Sequence, residues 1–217
     1  MTTLRWFDES ARVAFVGAGL STPEALCKLV GEPVTSARTR RLIRLERFDA
    51  VWFVKTQDLR TTPLPLRKLP SYALRGSPVT REATSLQTLA SLGIRTPRLI
   101  AVGEARGRLL PRTAALITRR LDDTVDLVRF LANTTDASIA LATIAAAEAL
   151  VERVHNAGYV LLGAKYRNIL TPPTGAVSDE QLAILDQPNL KRSRSARLRA
   201  KDWSHMQLDR QRYGPAQ

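Results

Sequence analysis

The chain has 217 residues, 44% of them hydrophobic, and its 33 Lys and Arg against 20 Asp and Glu leave a net charge of +13 at pH 7. That length admits one substantial core or two small lobes. A lone cysteine, Cys27, excludes an internal disulfide and fits a reducing compartment.

No apolar run reaches the roughly 18 residues of a membrane-spanning helix. The first nine residues carry early acidic side chains and no apolar segment, so no signal peptide is expected. Val16-Gly17-Ala18-Gly19 has the outline of a dinucleotide-binding turn, but Thr22 stands where a third glycine is needed. The stretch reads better as a turn between two helices. Ser21-Thr22-Pro23-Glu24 then opens the second one, with Glu24 as a capping-box partner. Residues 50–55 are an apolar, β-prone run ending in Lys55. Residues 81–89 show a helical pattern with Leu86 and Leu89 at i, i+3 spacing, stopped by Gly93 and Pro97. Two short buried strands follow at 99–102 and 114–118. A long Ala/Leu/Ile helix covers 137–155 and closes on Asn156-Ala157-Gly158. Residues 182–185 form an apolar strand that ends at Asp186.

Directly after the long helix comes Leu161-Leu162-Gly163-Ala164-Lys165-Tyr166-Arg167-Asn168. It reads like a kinase catalytic loop, H-R-D-L-x-x-x-N, with the metal-binding Asp about 15 to 20 residues later. With the loop Asn registered on Asn168, the catalytic Asp position is Gly163 and the His position is Leu161. Lys165 keeps a Lys common in such loops and is counted with the nucleotide-binding residues, and Asp186 supplies the later carboxylate. Asn168 and Asp186 are therefore the candidate Mg²⁺ ligands, because Mg²⁺ takes hard oxygens, using one or two carboxylates plus phosphates. Lys55 is the candidate phosphate contact, and a buried strand Lys needs a partner; Glu82 on the next helix is that partner. Glycine at 163 leaves no catalytic base, and no carboxylate between Glu152 and Asp179 replaces it. Base assistance is typically worth about 10²–10⁴-fold, so Gly163→Asp is expected to raise turnover. His155 is read as a packing or capping residue, and Asp202 either as a brace for the loop or as an ordinary helix-start Asp.

These pieces together resemble the Kdo/WaaP lipopolysaccharide kinase family, in particular its InaA-like branch. The residues carrying the resemblance are Phe53-Val54-Lys55, Arg81-Glu82-Ala83, Leu89 with Gly93-Ile94-Arg95-Thr96-Pro97, and Ala115-Leu116-Ile117-Thr118. They continue in Val154-His155-Asn156-Ala157-Gly158, Asn168-Ile169-Leu170 and Ile184-Leu185-Asp186, spanning about 35–208. The resemblance implies an α+β, protein-kinase-like two-lobe fold, with a small β-rich N-lobe and a short, mostly helical C-lobe. The expected boundaries are a helical extension at 1–32, the N-lobe at 33–118 and an abbreviated C-lobe at 119–217. ATP with Mg²⁺ is expected between the lobes, with adenine held by backbone groups from Thr118 to Leu121. The nucleotide-covering strand pair carries Arg38, Arg40 and Arg41 in place of a Gly-rich loop.

The function implied is ATP-dependent phosphoryl transfer to a sugar hydroxyl of the lipopolysaccharide core, impaired by loss of the catalytic Asp. The alternatives are a non-catalytic pseudokinase scaffold binding nucleotide or anionic glycolipid, and a basic nucleic-acid-binding protein. The second rests on charge alone, since no aromatics interleave the basic runs and no nucleic-acid motif is present. The densest cationic cluster holds Lys191, Arg192, Arg194, Arg197 and Arg199. It reads as a solvated loop, as a contact for lipopolysaccharide core or an anionic membrane, or as a nucleic-acid contact. A cytoplasmic location, peripheral on the inner membrane, is the expectation that goes with this reading.

Overall fold

The computed structural model describes residues 3–37, 39–60 and 65–215. They divide into two compact units, one from 1–84 with 98–120 and one from 85–97 with 121–217.

The first unit is built on an antiparallel sheet. In chain order it contains β1 (Arg5–Trp6), α1 (Glu9–Gly17), α2 (Pro23–Lys28), β2 (Glu32–Ala37), β3 (Arg40–Arg47), β4 (Ala50–Asp58) and α3 (Leu69–Arg75). α4 (Pro78–Ser91) begins in this unit and ends in the other, and β5 (Leu99–Arg106) and β6 (Pro111–Arg119) complete the sheet. Strand order among the described residues is β1-β5-β6-β4-β3-β2. β3 and β4 are joined through Phe48 and Asp49, both at φ +55°. That is the geometry of a two-residue I′ hairpin turn. Neither residue is glycine, so the turn is strained. The Phe48 ring offsets this by lying 5.3 Å from Phe15.

Phe15 is fully buried and sits at the centre of the first core, with Trp6 at 5.8 Å and Trp52 edge-on at 5.6 Å. α1 is started by Asp8, whose carboxylate accepts from Ala11 N at 3.0 Å and pairs with Arg98 at 2.9 Å. The Ala11 hydrogen bond, helped by Ser10 and Arg98, holds the Asp8 carboxyl below the ordinary range. The two N-terminal helices and the turn between them thus contribute Ala11, Phe15, Leu20 and Leu26 to the sheet's own core. They lie in the same compact unit as the sheet. Glu24 is a correction of a different kind. Thr22 Oγ1 caps α2 by accepting from Ala25 N at 3.1 Å, as the Thr-Pro start implies, but Glu24 accepts from Thr113 Oγ1 at 2.8 Å instead of closing a capping box.

The second unit contains β7 (Val125–Asp126), α5 (Leu127–Asn133), α6 (Ala137–Asn156), β8 (Tyr159–Val160), β9 (Ile169–Thr171), β10 (Ala183–Ile184), β11 (Lys191–Arg192) and α7 (Ala196–Tyr213). α6 is the long helix read from sequence. Asp136 caps its start by accepting from Ser138 N and Ile139 N, at 2.8 and 3.1 Å. Gly158 at φ +83° ends it, with its N–H donated to His155 O. Ile144, Ala147, Leu150, Val151 and Val154 line one buried face. That spacing is the helical period, and each buried aliphatic side chain is worth about 1.5–3 kcal/mol. α4 contributes Leu89 to this core and ends in a Schellman-type turn, with Ile94 N donating to Leu89 O at 3.0 Å and Gly93 at φ +71°.

Candidate functional site

Strand alternation positions Lys55. Along β4, Trp52, Val54 and Thr56 are buried on one face, so Phe53 and Lys55 occupy the other. Cross-strand register places Leu42 and Leu116 beside Lys55, and Thr118 beside Phe53, on that same face. Glu82 reaches it from α4. Lys55 Nζ donates to both Glu82 carboxylate oxygens at 2.7 Å, with side chains 19% and 8% exposed. The ion pair read from sequence is therefore formed within the first unit. Around the expected adenine contacts, the N–H groups of Arg119 and Arg120 are committed to Arg98 O and Val51 O at 3.0 Å each. Thr118 lies in the β6 ladder, and Leu121 O accepts from Thr124 Oγ1 at 2.9 Å.

The β2–β3 hairpin differs from the expectation of three free arginines. Arg41 donates to Leu29 O, which ties it to the end of α2's connection rather than leaving it open for phosphate. Arg40 is exposed, and Arg38 lies outside the described residues.

In the second unit the loop 161–168 runs from β8 to β9. One carboxylate organises it. Asp202 Oδ2 accepts from Leu161 N at 2.8 Å, and Oδ1 accepts from Gly163 N at 2.8 Å and Ala164 N at 3.3 Å. His155 Nε2 adds a fourth bond to Oδ2 at 3.0 Å. Asp202 is 0% exposed. Burial pushes its carboxyl up, but His155 and the three backbone N–H groups outweigh this and hold it below the ordinary range. Asp202 is thus the loop brace. His155 is buried against it, with Trp203 edge-on at 5.7 Å, and so is a packing and positioning residue as read from sequence. Further along, Tyr166 N donates to Asp209 Oδ2 at 2.8 Å, and residues 166–168 form one 3₁₀ turn.

The β9–β10 ladder brings the candidate metal ligands together. Ile184 pairs with Ile169, and Leu185 N donates to Asn168 O at 2.9 Å, so Asn168 and Asp186 flank the same register position. Asp186 is exposed, at φ +52°, in a turn conformation tolerated by Asp. Asn and Asp at these two positions are residue types that fit Mg²⁺, which shares its shell with water and phosphates rather than requiring an all-protein cage. Among the described residues, no cluster of His, Cys, Asp and Glu resembles a closed metal site.

Gly163 occupies the position from which a base is missing, and its backbone has adapted to glycine. Its φ is +149°, while a Cβ there meets nothing within 4 Å. A side chain at 163 is therefore opposed by backbone conformation rather than by crowding. Leu162, at φ +57°, shares the strained turn.

The basic cluster is ordered rather than a loop. Lys191 and Arg192 form β11 against Val160 and Tyr159, and Arg197 and Arg199 lie in the start of α7. Lys191, Arg192, Arg194 and Arg197 are exposed, but Arg199 donates to His155 O at 2.9 Å and belongs to the structure of the loop. Lys165 was singled out in the sequence, but the side chains grouped around it were not. Lys165 and Arg167 line a cleft of about 560 Å³ with Val128, His205, Asp209 and Arg212. Its signal was present in α7, where 205, 208, 209 and 212 recur at helical spacing on one face.

The family model described as the lipopolysaccharide kinase (Kdo/WaaP) family matches residues 24–213. The chain belongs to that family. Among solved structures, WaaP in complex with acyl carrier protein is similar at a TM-score of 0.72 and 20% identity, covering 99% of this chain and 83% of that one. That likeness establishes the kinase-like fold. No curated protein matches the chain. Kdo/WaaP membership makes the function kinase-like and lipopolysaccharide-related, and it implies ATP with a divalent metal.

Proposed function

We propose that this Kdo/WaaP-family protein binds Mg-ATP and transfers phosphate slowly to a sugar hydroxyl of the lipopolysaccharide core, without a carboxylate base in its loop. The observation that carries the reading is the retention of two ligand pairs beside one loss. Lys55 is held by Glu82, and Asn168 is registered beside Asp186, while Gly163 offers no side chain. Asn168 and Asp186 would hold the metal, whose charge offsets that of the phosphates. Lys55 adds a fixed positive charge, kept in place by the bidentate Glu82 contact. Phosphoryl transfer depends mainly on positioning and electrostatics, so loss of the base slows it by about 10²–10⁴-fold without abolishing it.

The test is incubation of the full chain with γ-labelled ATP, Mg²⁺ and dephosphorylated lipopolysaccharide core. Slow, Mg-dependent label transfer that disappears in Asp186→Ala supports the reading, and transfer that survives Asp186→Ala refutes it. A second reading, a nucleotide-binding scaffold, is favoured by the Gly-only backbone at 163. It predicts Mg-ATP binding with no label transfer.

We place the protein peripherally on an anionic membrane face, through Lys191, Arg192, Arg194 and Arg197. Arg197 lies in the first turn of α7, where the helix dipole disfavours a cation by about 0.3–1 kcal/mol. Helix stability therefore does not account for that charge, and contact with an external anion would offset the cost. Flotation with phosphatidylglycerol vesicles, lost when the four are changed to Gln, tests this.

A further inference from the structure

We propose that the cleft formed by α5, the catalytic-loop segment and α7 binds an oxyanion carried by the acceptor sugar, either a phosphate ester or a carboxylate. The identity of that ligand as the acceptor rests on the kinase reading above; the anion site itself does not. The cleft's volume, about 560 Å³, lies in the range of small-molecule sites. Three cations line it: Lys165, Arg167 and Arg212. Among the described residues none of the three has a carboxylate within ion-pair distance. The contrast within the same unit is informative. Arg153 pairs with Asp179, and Arg210, two residues before Arg212, pairs with Glu148, each at 3.0 Å. This chain pairs its arginines where a carboxylate is in reach.

The one carboxylate lining the cleft, Asp209, accepts from Tyr166 N at 2.8 Å, and a single carboxylate leaves the three cations in excess. Two further observations fit a ligand site. His205 lines the cleft with a buried Nδ1 that has no hydrogen-bond partner. Arg212 is stacked over Tyr213, 5.2 Å from the ring centroid, which restrains its guanidinium at low entropic cost. Val128, Leu208 and Tyr213 supply apolar wall, suited to the face of a sugar ring. Guanidinium groups match phosphate and carboxylate oxygens bidentately.

The location gives the site its meaning. Lys165 and Arg167 lie within four residues of Gly163 on one continuous loop. An acceptor anchored by its anion would present a neighbouring hydroxyl close to the place where a base is missing. Anchoring of this kind raises effective concentration and orientation, which is the contribution a slow, baseless loop most needs.

The experiment uses the full chain at low ionic strength, titrated separately with glucose 6-phosphate, glucuronate and glucose. Binding is read from amide chemical-shift changes. Saturable binding of glucose 6-phosphate, of glucuronate or of both is expected, with glucose inert, and the two charged probes separate phosphate from carboxylate chemistry. Arg167→Gln with Arg212→Gln should weaken binding at least about tenfold, since charged hydrogen bonds are individually strong. Arg75→Gln with Arg108→Gln removes the same charge from exposed positions of the first unit and should leave affinity unchanged. Equal weakening by both double variants, or no saturable binding of either charged probe, overturns the proposal. Mg-ATP thermal stabilisation is measured on the same proteins. Its absence alongside saturable sugar-phosphate binding would remove the nucleotide reading and leave the anion site standing.

Discussion

Replacing Asp202 with Ala removes the acceptor that, among the described residues, serves three loop N–H groups, together with the partner of His155. Leu161 and Ala164 are buried, so water reaches their N–H groups poorly. Each orphaned buried donor costs about 1–3 kcal/mol, and these costs are not additive within one network. We take about 3–5 kcal/mol for Asp202→Ala, the range for breaking a buried charged contact. Asn keeps the shape and one acceptor oxygen, so Asp202→Asn should lose about half as much. In a chain of this size that corresponds to a fall in melting temperature of about 6–20 °C for the Ala variant, read by circular dichroism.

The pH dependence has a definite sign. The folded Asp202 carboxyl is held below the ordinary Asp value of 3.8, so its stabilisation is complete above about pH 4 and is lost as pH falls through the lower folded value. The gap between wild type and Asp202→Ala should therefore be constant at neutral pH and shrink below about pH 4. A variant melting within 1 °C of wild type at pH 7 would refute the bracing role, as would a gap that grows with acid.

Glu82→Ala removes the carboxylate that accepts from Lys55 Nζ through both oxygens, on a sheet face where the Lys55 side chain is 19% exposed. The loss should be about 2–3 kcal/mol, between exposed and fully buried pairs; urea denaturation measures it, and a loss under 0.5 kcal/mol contradicts the pairing. Gly163→Ala should cost about 1–3 kcal/mol from φ +149° alone, with no steric clash, and Gly163→Asp should lose a similar amount in the same melts. Cys27 is half-buried, and burial, with the nearby Asp58, pushes its thiol up to about 11. Only about 0.1% of it is thiolate at pH 8, so alkylation by iodoacetamide should lag a free thiol by at least about a hundredfold. Mass spectrometry follows the adduct.

Much of the site was readable because its signals are local. Lys55 stands out as the one cation in the run 50–55, and alternation alone assigns it a face. The spacing from Gly163 to Asn168 and on to Asp186 survives as text even though the base does not. Asp202 was half-readable: an Asp at the start of a helix is ordinary, and only the fold brings it to the loop 41 residues earlier in the chain, at Leu161. What escaped depends on pairing across the sequence. Glu24 looked like a capping-box residue until Thr113, 89 positions away, claimed its carboxylate. Arg41 and Arg199 read as free charges, yet each ends on a backbone carbonyl of another element. The glycine at 163 read as a deletion, while its φ marks it as a backbone that now requires glycine. The two N-terminal helices looked like an addition, because nothing in their own pattern says that Phe15 completes the core of the following sheet.

Thermal-shift titration with Mg-ATP, with and without excess EDTA, bears most directly on whether this loop belongs to a nucleotide site. Stabilisation should rise as RT ln(1 + [L]/Kd), reaching about 1.4 kcal/mol at ten times Kd. Wild type should show this shift only with Mg²⁺, and Asp186→Ala should lose it while melting normally without ligand. An unshifted, fully folded wild type at millimolar Mg-ATP would contradict the nucleotide site, and so would an equal shift in Asp186→Ala.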